Sequence, residues 1–197
     1  MRDKERVTFM TEYFDLRRED GSKTGETKAR ALVHRDGDLH GTAHVWLARP
    51  HGDSFDLLLQ KRSDGKDAYP GCWDISSAGH LPAGSDFLES ALRELREELG
   101  VSARAEDLEL IGFRRRKLET EFYGRPFRDS EYAAVYLCLL PVEPEALQLQ
   151  REEVSAVRYL EFSTILCGLG RADFPNCLYE DELQMVKQAY ELRRSHI

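Results

Sequence analysis

The 197-residue sequence lacks features that would place it in several common classes of protein. It has no run of roughly 20 apolar residues, so a membrane-spanning helix is not expected. Its cysteines form no C-x-x-C pair, which excludes a cysteine zinc motif and a dense disulfide framework. It also lacks an excess of basic residues, because 28 Lys and Arg stand against 36 Asp and Glu, a net charge of −8. Nucleic-acid binding depends on excess positive charge, so a general nucleic-acid surface is excluded.

Targeting and linker segments are also missing from the sequence. The opening residues, MRDKERVTFMTEYF, contain no apolar segment followed by a small-residue cleavage site, so we predict a cytoplasmic protein. No repeat, low-complexity tract or Pro/Ser-rich linker divides the chain, and we predict one domain over residues 1–197, with residues 1–30 as an N-terminal strand and extension. The expected partner is a small molecule, with no membrane or nucleic acid; a homodimer is left open.

The segments that are present alternate between strand-like and helical patterns. Alternating, β-branched and aromatic residues predict strands at TEYFDL, ARALVH, GTAHVWLA, FDLLLQKR, LELIGFRRRKLE, SEYAAVYLCLLP and AVRYLEF. EDGSKTGETK is interpreted as a turn with a polar connection, and TEFYGRPFRD as a hairpin loop. A helix is predicted within residues 79–101 and another at about 180–195. This order predicts an α/β (α+β) fold, with a mixed sheet between helices in an α/β/α sandwich.

The first predicted helix concentrates acidic side chains on one face. Its apolar stripe is formed by residues that recur at helical spacing, namely Leu88, Ala91, Leu92, Leu95 and Leu99. Glu94, Glu97 and Glu98 are related by i+3 and i+4, so they converge on a second face, where like charges repel. A divalent cation such as Mg²⁺, which prefers carboxylate oxygens, would turn that repulsion into a binding site. Taken alone, the same pattern also fits a solvated acidic surface.

Residues 79–101 resemble the Nudix box, Gly-x5-Glu-x7-Arg-Glu-U-x-Glu-Glu-x-Gly-U, in which U is a bulky aliphatic residue. The sequence matches this pattern at Gly79, at the Arg93-Glu94-Leu95 run, at Glu97-Glu98 and at Gly100-Val101. Ser85 stands in the place of the first glutamate. The resemblance implies that Glu94, Glu97 and Glu98, with the Gly79 carbonyl, hold Mg²⁺ or Mn²⁺ on a diphosphate. It also implies a structural role for Arg93, and we expect Asp86 or Glu89 to replace the missing partner of Arg93. Ser85 is itself a candidate N-cap of the helix.

Outside the box, the sequence resembles the branch of the family that contains isopentenyl-diphosphate isomerase. The resemblance implies a second metal site, better suited to Mn²⁺, Zn²⁺ or Fe²⁺, with the following ligands: His34, His40, His80, Asp129 and Glu131. It also implies that Lys61, Arg62 and Lys66 contact the substrate's diphosphate. The isomerase's essential cysteine corresponds to Ala78, which cannot transfer a proton. The remaining histidines, His44, His51 and His196, are interpreted as surface or hydrogen-bonded core residues.

The missing cysteine and the complete REUxEE run favour a metal-dependent hydrolase over an isomerase. We expect hydrolysis of a diphosphate linkage in a nucleoside diphosphate derivative or a prenyl diphosphate. Two alternatives stay open, an isopentenyl-diphosphate isomerase and a non-catalytic nucleotide-binding sensor domain, for which Ser85 is the best support.

Overall fold

The computed structural model describes residues 11–195, so His196 and residues 1–10 of the predicted N-terminal extension lie outside it. The strands are β1 Tyr13–Arg17, β2 Lys23–Ala29, β3 Leu39–His51, β4 Ser54–Arg62, β5 Trp73–Asp74, β6 Ser77–His80, β7 Leu108–Phe122, β8 Arg125–Cys138 and β9 Val154–Glu161. The helices are α1 Arg30–Asp36, α2 Phe87–Leu99, α3 Phe162–Gly168 and α4 Glu180–Arg194, with short 3-10 turns at Ala105–Asp107 and Pro144–Ala146.

Strand β3 is the centre of a mixed sheet. It pairs in parallel with β8 and antiparallel with β4 and β6, and it meets β1 at the pair Leu16–His40. Strand β7 extends the sheet beyond β8, β9 extends it beyond β4, and β2 pairs with β1. Strand β6 contains four residues and pairs with residues 42–45 of β3.

Helices cover both faces of this sheet, as the sequence predicted. On one face, Leu95 and Leu99 of α2 are fully buried against Val45 and Leu47 of β3. On the other face, Trp46 is the largest of the buried side chains, and it packs with residues of α3 and α4. Fully burying one such aliphatic side chain contributes about 1.5–3 kcal/mol, so the two apolar layers hold the helices in place.

Helix α2 begins and ends at residues suited to those positions. The Asp86 carboxylate accepts the Glu89 backbone N–H at 2.8 Å, so Asp86 is the N-cap and the assignment of Ser85 to that position is wrong. Ser85 lies one residue earlier, in the loop. Gly100 ends the helix with φ +72°, a left-handed conformation that glycine adopts without strain.

Four segments differ from the predictions. ARALVH, predicted as a strand, forms most of α1, in which Val33 is the buried residue. EDGSKTGETK includes β2, and TEFYGRPFRD is mostly paired strand, so the connection between β7 and β8 is reduced to residues 123–124. Helix α3 was not predicted. Strand β2 and the β7–β8 tip are largely exposed, so they lack the alternation of buried residues from which strands are recognised.

Among the described residues, no helix is long and apolar enough to cross a membrane.

Candidate active site

The short strand β6 separates two groups of polar side chains. Successive side chains of a strand point to opposite faces, so Ser77 and Gly79 face α2 whereas Ala78 and His80 face the opposite side. Ser77 and Gly79 contact glutamates of α2, and His80 stacks on the rings of Phe14 and His40. We call these sides the acid face and the imidazole face of β6.

On the acid face, Glu98 is buried and fixed by hydrogen bonds to one of its oxygens. Its Oε2 accepts from Ser77 Oγ at 2.7 Å, from the Ala78 backbone N–H at 3.2 Å and from Gln60 Nε2 at 3.4 Å. Burial, reinforced by the nearby Glu94 carboxylate, raises the pKa of Glu98 to about 8. Glu98 is therefore not part of a solvated acidic surface: it is 6% exposed.

Glu94 lies directly against Gly79. A Cβ on Gly79 would lie 2.0 Å from the Glu94 carboxylate, so a side chain at this position would displace the carboxylate from β6. Burial raises the pKa of Glu94 as well. A buried carboxylate with a raised pKa is stabilised as an anion when a cation lies beside it.

Arg93 links the two remaining box acids to β6. It donates to Glu97 at 2.8 Å, to Glu94 at 2.5 Å and to the His80 backbone carbonyl at 3.1 Å. The partners of Arg93 are thus the box glutamates and a carbonyl of β6, not Asp86 or Glu89 as expected from the absence of an acid at position 85. Glu97 is the most exposed of the three acids, with 45% of its side chain accessible.

The imidazole face brings together four of the five residues expected at a second metal site. One ligand atom from each of His34, His40, His80 and Asp129 lies within 4.8 Å of the others. The His40 Nδ1 donates to the Asp38 carbonyl at 2.9 Å, which leaves the lone pair of Nε2 free. That Nε2 lies 3.6 Å from Asp129 Oδ1, too far for a hydrogen bond.

The atoms of this cluster fit a metal ion because they are buried and unsatisfied. Within residues 11–195, His34 Nε2, His40 Nε2 and Asp129 Oδ1 have no hydrogen-bond partner. Burial lowers the pKa of His34 to about 4 and lowers the pKa of His40 and His80 as well, so the three imidazoles are neutral near pH 7. Neutral imidazole nitrogens and one carboxylate are the donors that Mn²⁺, Fe²⁺ and Zn²⁺ accept.

Glu131, the fifth expected ligand, lies beside this cluster rather than within it. It pairs with His40 in the β3–β8 register, and its carboxylate lies 3.8 Å from the Arg116 guanidinium. Burial, together with the Asp129 carboxylate, raises the pKa of Glu131 to about 7.

One cavity of about 750 Å³ joins both faces of β6. It is lined by the box acids Glu94, Glu97 and Glu98 and also by Gly79, His34, His80, Asp129 and Glu131. Arg62 and Lys66 also line it, but Arg62 is paired with Asp74 and Lys66 with Glu153. Lys61 is not among the residues that line the cavity. Its predicted contact with the substrate therefore stays a prediction.

The residue that sequence reasoning missed is His44. It lines the same cavity, and its Nδ1 lies 3.0 Å and 3.1 Å from the two carboxylate oxygens of Glu182. Trp46 donates to the same carboxylate at 2.9 Å, and Glu182 is 2% exposed. The partners are 138 residues apart, so no local pattern could have paired them.

Sequence comparison identifies relatives of most of this chain. A profile of the NUDIX domain matches residues 38–177. The Arabidopsis thaliana protein named Nudix hydrolase 3 is 44% identical over 164 residues, which are 82% of this chain and 21% of that protein. This chain therefore spans about a fifth of the length of that relative. The Escherichia coli isopentenyl-diphosphate Delta-isomerase is 29% identical over 159 residues, 81% of this chain and 82% of the isomerase.

Solved structures share the fold. A crystal structure of a Deinococcus radiodurans protein superposes with a TM-score of 0.63 at 20% identity, and the match covers 91% of this chain and 99% of the other. The mixed sheet with helices on both faces is therefore an arrangement that experimentally determined proteins adopt.

Proposed function

The chain belongs to the Nudix family, and from this premise we propose that its cavity hydrolyses the phosphoric anhydride bond of a substrate X–P–P–Y, with Mg²⁺ or Mn²⁺ on the acid face of β6. Nudix pyrophosphohydrolase activity is supported by the family and by the relatives named hydrolases. The observation that carries the proposal is that Glu94, Glu97 and Glu98 line one large cavity together, two of them substantially buried.

We assign the metal to the oxygens of the three box acids and to the Gly79 carbonyl. Bound there, a divalent ion neutralises charge on the phosphates and lowers the pKa of the attacking water. The chain itself supplies rigid positions: the hydrogen bonds from Ser77 and Ala78 hold one Glu98 oxygen and leave the other available. Arg93 holds Glu94 and Glu97 in fixed positions.

The hydrolysis needs one bond made and one bond broken. A water oxygen bonds to one phosphorus, the bond between that phosphorus and the bridging oxygen breaks, the bridging oxygen leaves with the other phosphate, and the water gives up a proton. Glu94 and Glu98 are the carboxylates placed to accept that proton, and both stay candidates. Arg62 and Lys66, on the wall of the cavity, are positioned to lie near phosphate oxygens once released from Asp74 and Glu153.

We assign a second ion, of a transition metal, to His34, His40, His80 and Asp129, with Glu131 beside them. This cluster and the similarity to the E. coli isomerase favour isopentenyl-diphosphate isomerisation as a second candidate function. The candidate is weaker because Ala78, at the position of the isomerase cysteine, offers no proton donor or acceptor.

A hydrolysis screen tests the proposal. The purified chain is incubated with Mg²⁺ or Mn²⁺ and with nucleotide sugars, dinucleotides, coenzyme A, nucleoside triphosphates and prenyl diphosphates, and the products are resolved by phosphorus NMR. We expect metal-dependent cleavage of at least one P–O–P linkage, abolished by a chelator. Tight binding of a nucleotide with no cleavage under any condition would instead favour the sensor alternative.

A further inference from the structure

The proposed function leaves two substrate classes open, and the imidazole face of β6 distinguishes them. Prenyl groups carry only hydrocarbon, whereas the organic part of a nucleoside diphosphate derivative carries hydroxyl, carbonyl and ring acceptors. The polarity of the cavity wall beyond the diphosphate site should therefore match one class and not the other.

That wall continues along β3, away from the histidine cluster. His40, Thr42 and His44 lie at alternate positions, so their side chains share one face of the sheet. In the register of β3 with β6, Thr42 pairs with His80 and His44 pairs with Ala78. His44 is thus the direct cross-strand neighbour of the residue that replaces the isomerase cysteine.

His44 is held there as a hydrogen-bond donor. The Glu182 carboxylate binds its Nδ1, and Trp46 and the nearby Arg114 guanidinium fix Glu182 in turn. The other nitrogen of His44, Nε2, has no hydrogen bond to another residue within the described part of the chain. Although burial alone lowers the pKa of His44, the Glu182 carboxylate raises it to about 9. The ring is therefore cationic near pH 7, and Nε2 carries a proton.

Thr42 adds a second unsatisfied group to this wall. It is 2% exposed and lines the cavity, and its Oγ1 has no hydrogen-bond partner among residues 11–195. A hydrocarbon chain laid against this wall would desolvate the His44 N–H and leave the Thr42 hydroxyl unpaired. Burying polar groups without partners is unfavourable, whereas a ligand oxygen would satisfy them.

We propose that His44, fixed by Glu182, is a substrate-binding residue that donates a hydrogen bond to an oxygen or ring acceptor on the organic group of the substrate, and that this contact makes the cavity discriminate between polar and purely hydrocarbon organic groups. The proposal rests on the proposed function, since it takes the diphosphate to lie at β6. Removing a hydrogen bond from a charged donor should weaken binding by roughly 10- to 100-fold.

The test measures binding without requiring hydrolysis. With Mn²⁺ present, titration calorimetry compares the α,β-methylene analogues of ADP, GDP, CDP and UDP with the methylene bisphosphonate analogue of isopentenyl diphosphate. We expect the parent to bind at least one nucleotide analogue more tightly than the prenyl analogue. His44→Leu should reduce that preference by roughly 10- to 100-fold, with most of the loss on the nucleotide analogue.

Controls separate recognition from folding. His51→Leu removes another imidazole of β3 that is paired with a carboxylate, that of Asp56, but His51 does not line the cavity, so this variant should keep the parental preference. If His44→Leu lowers the melting temperature too far, Thr42→Val removes the second polar group with almost no change of shape. It should reduce the preference in the same direction.

The outcomes distinguish this inference from the proposed function. A parent that binds the prenyl analogue at least as tightly as every nucleotide analogue overturns the inference, as does an unchanged preference in both variants. Preferential hydrolysis of isopentenyl diphosphate would also overturn it while leaving the hydrolase intact. Selective nucleotide binding that depends on His44, without hydrolysis of any diphosphate, would support the inference and refute the proposed function.

Discussion

The acid and imidazole faces of β6 lie back to back, one residue apart along the chain, yet they differ in chemistry. On the acid face, burial raises the pKa values of the Glu98 and Glu94 carboxylates, even though Arg93 pairs with Glu94. On the imidazole face, His34, His40 and His80 have lowered pKa values and are neutral. The first set suits a hard ion that shares oxygens with phosphates, and the second suits a transition metal.

The strongest way to test this division is to remove the acids. Glu97→Gln and Glu98→Gln should each lower diphosphate hydrolysis by roughly 10²–10³-fold, the scale of losing one electrostatic contact to a transition state. Steady-state kinetics measures the loss. Glu98→Gln should not lower the melting temperature at pH 7, because Glu98, with a pKa of about 8, is largely protonated there and the amide is likewise uncharged.

Glu89→Gln is the matched control on the same helix, since Glu89 is exposed and does not line the cavity. It should keep the parental rate. Parental turnover in Glu97→Gln or Glu98→Gln would show that the metal assignment is wrong.

The second prediction concerns the imidazole face. His34→Ala should weaken binding of Mn²⁺ or Zn²⁺ at the histidine cluster by roughly 10- to 100-fold, the scale of disrupting a metal site. Metal titration monitored by calorimetry measures the change, with His51→Ala as the control. Unchanged metal affinity in His34→Ala would show that the histidine cluster does not bind the second metal. The assignment of a metal to the acid face would be unaffected.

These two faces show how much the sequence could and could not predict. The box acids were identified because their spacing lies within one helix, and α4 was predicted at its observed bounds because its pattern is regular. The histidine cluster joins residues from α1, β3, β6 and β8, and it was found through a family resemblance. Glu182 could not be assigned, because its role depends on α4 packing against β3, 138 residues away.

Exposed segments explain the errors of secondary structure. Strand β2 is polar on both faces and the β7–β8 tip is largely exposed, so their strand pairing comes from hydrogen bonding to a neighbour rather than from a pattern of burial. Similarly, Lys61 and Arg62 are adjacent in sequence, but of the two residues Arg62 lines the cavity and Lys61 does not, and the motif alone did not show this difference.

The third prediction uses His44, which lies on the imidazole face but is charged. Its pKa is raised from 6.5 to about 9 by Glu182, despite burial, so the pair stabilises the fold fully below pH 6.5. That contribution is lost as the pH rises through about 9. Urea unfolding should show a loss on the order of 1–2 kcal/mol between pH 7 and 9.5. His44→Gln should lack this part of the pH dependence, and an identical pH profile would contradict the assignment.

The fourth prediction compares two neighbouring lysines. Lys66→Met should raise KM for the diphosphate substrate by up to about tenfold, less than for a buried charged donor because Lys66 is partly exposed and also pairs with Glu153. Lys61→Met should leave KM unchanged, because Lys61 does not line the cavity. Equal effects of the two variants would mean that the cavity wall has been assigned incorrectly.

The smallest expected signal is isomerisation. The parent should convert no isopentenyl diphosphate to dimethylallyl diphosphate, because Ala78 has no transferable proton. Ala78→Cys places a thiol on the imidazole face beside His44 and should give at most a trace of isomer. Chromatography of the diphosphates measures both. Robust isomerisation by the parent would show that another group replaces the thiol.

Hydrolysis in ¹⁸O-labelled water shows whether the acid face directs water onto a diphosphate. The parent and Glu98→Gln are incubated with Mn²⁺ and the substrate that the parent cleaves fastest in the hydrolysis screen. The masses of the products are measured by mass spectrometry. The account predicts metal-dependent release of two phosphorylated products by the parent, one of them carrying a single ¹⁸O, and almost no release by Glu98→Gln. Label in neither product, or equal release by the two proteins, would contradict it.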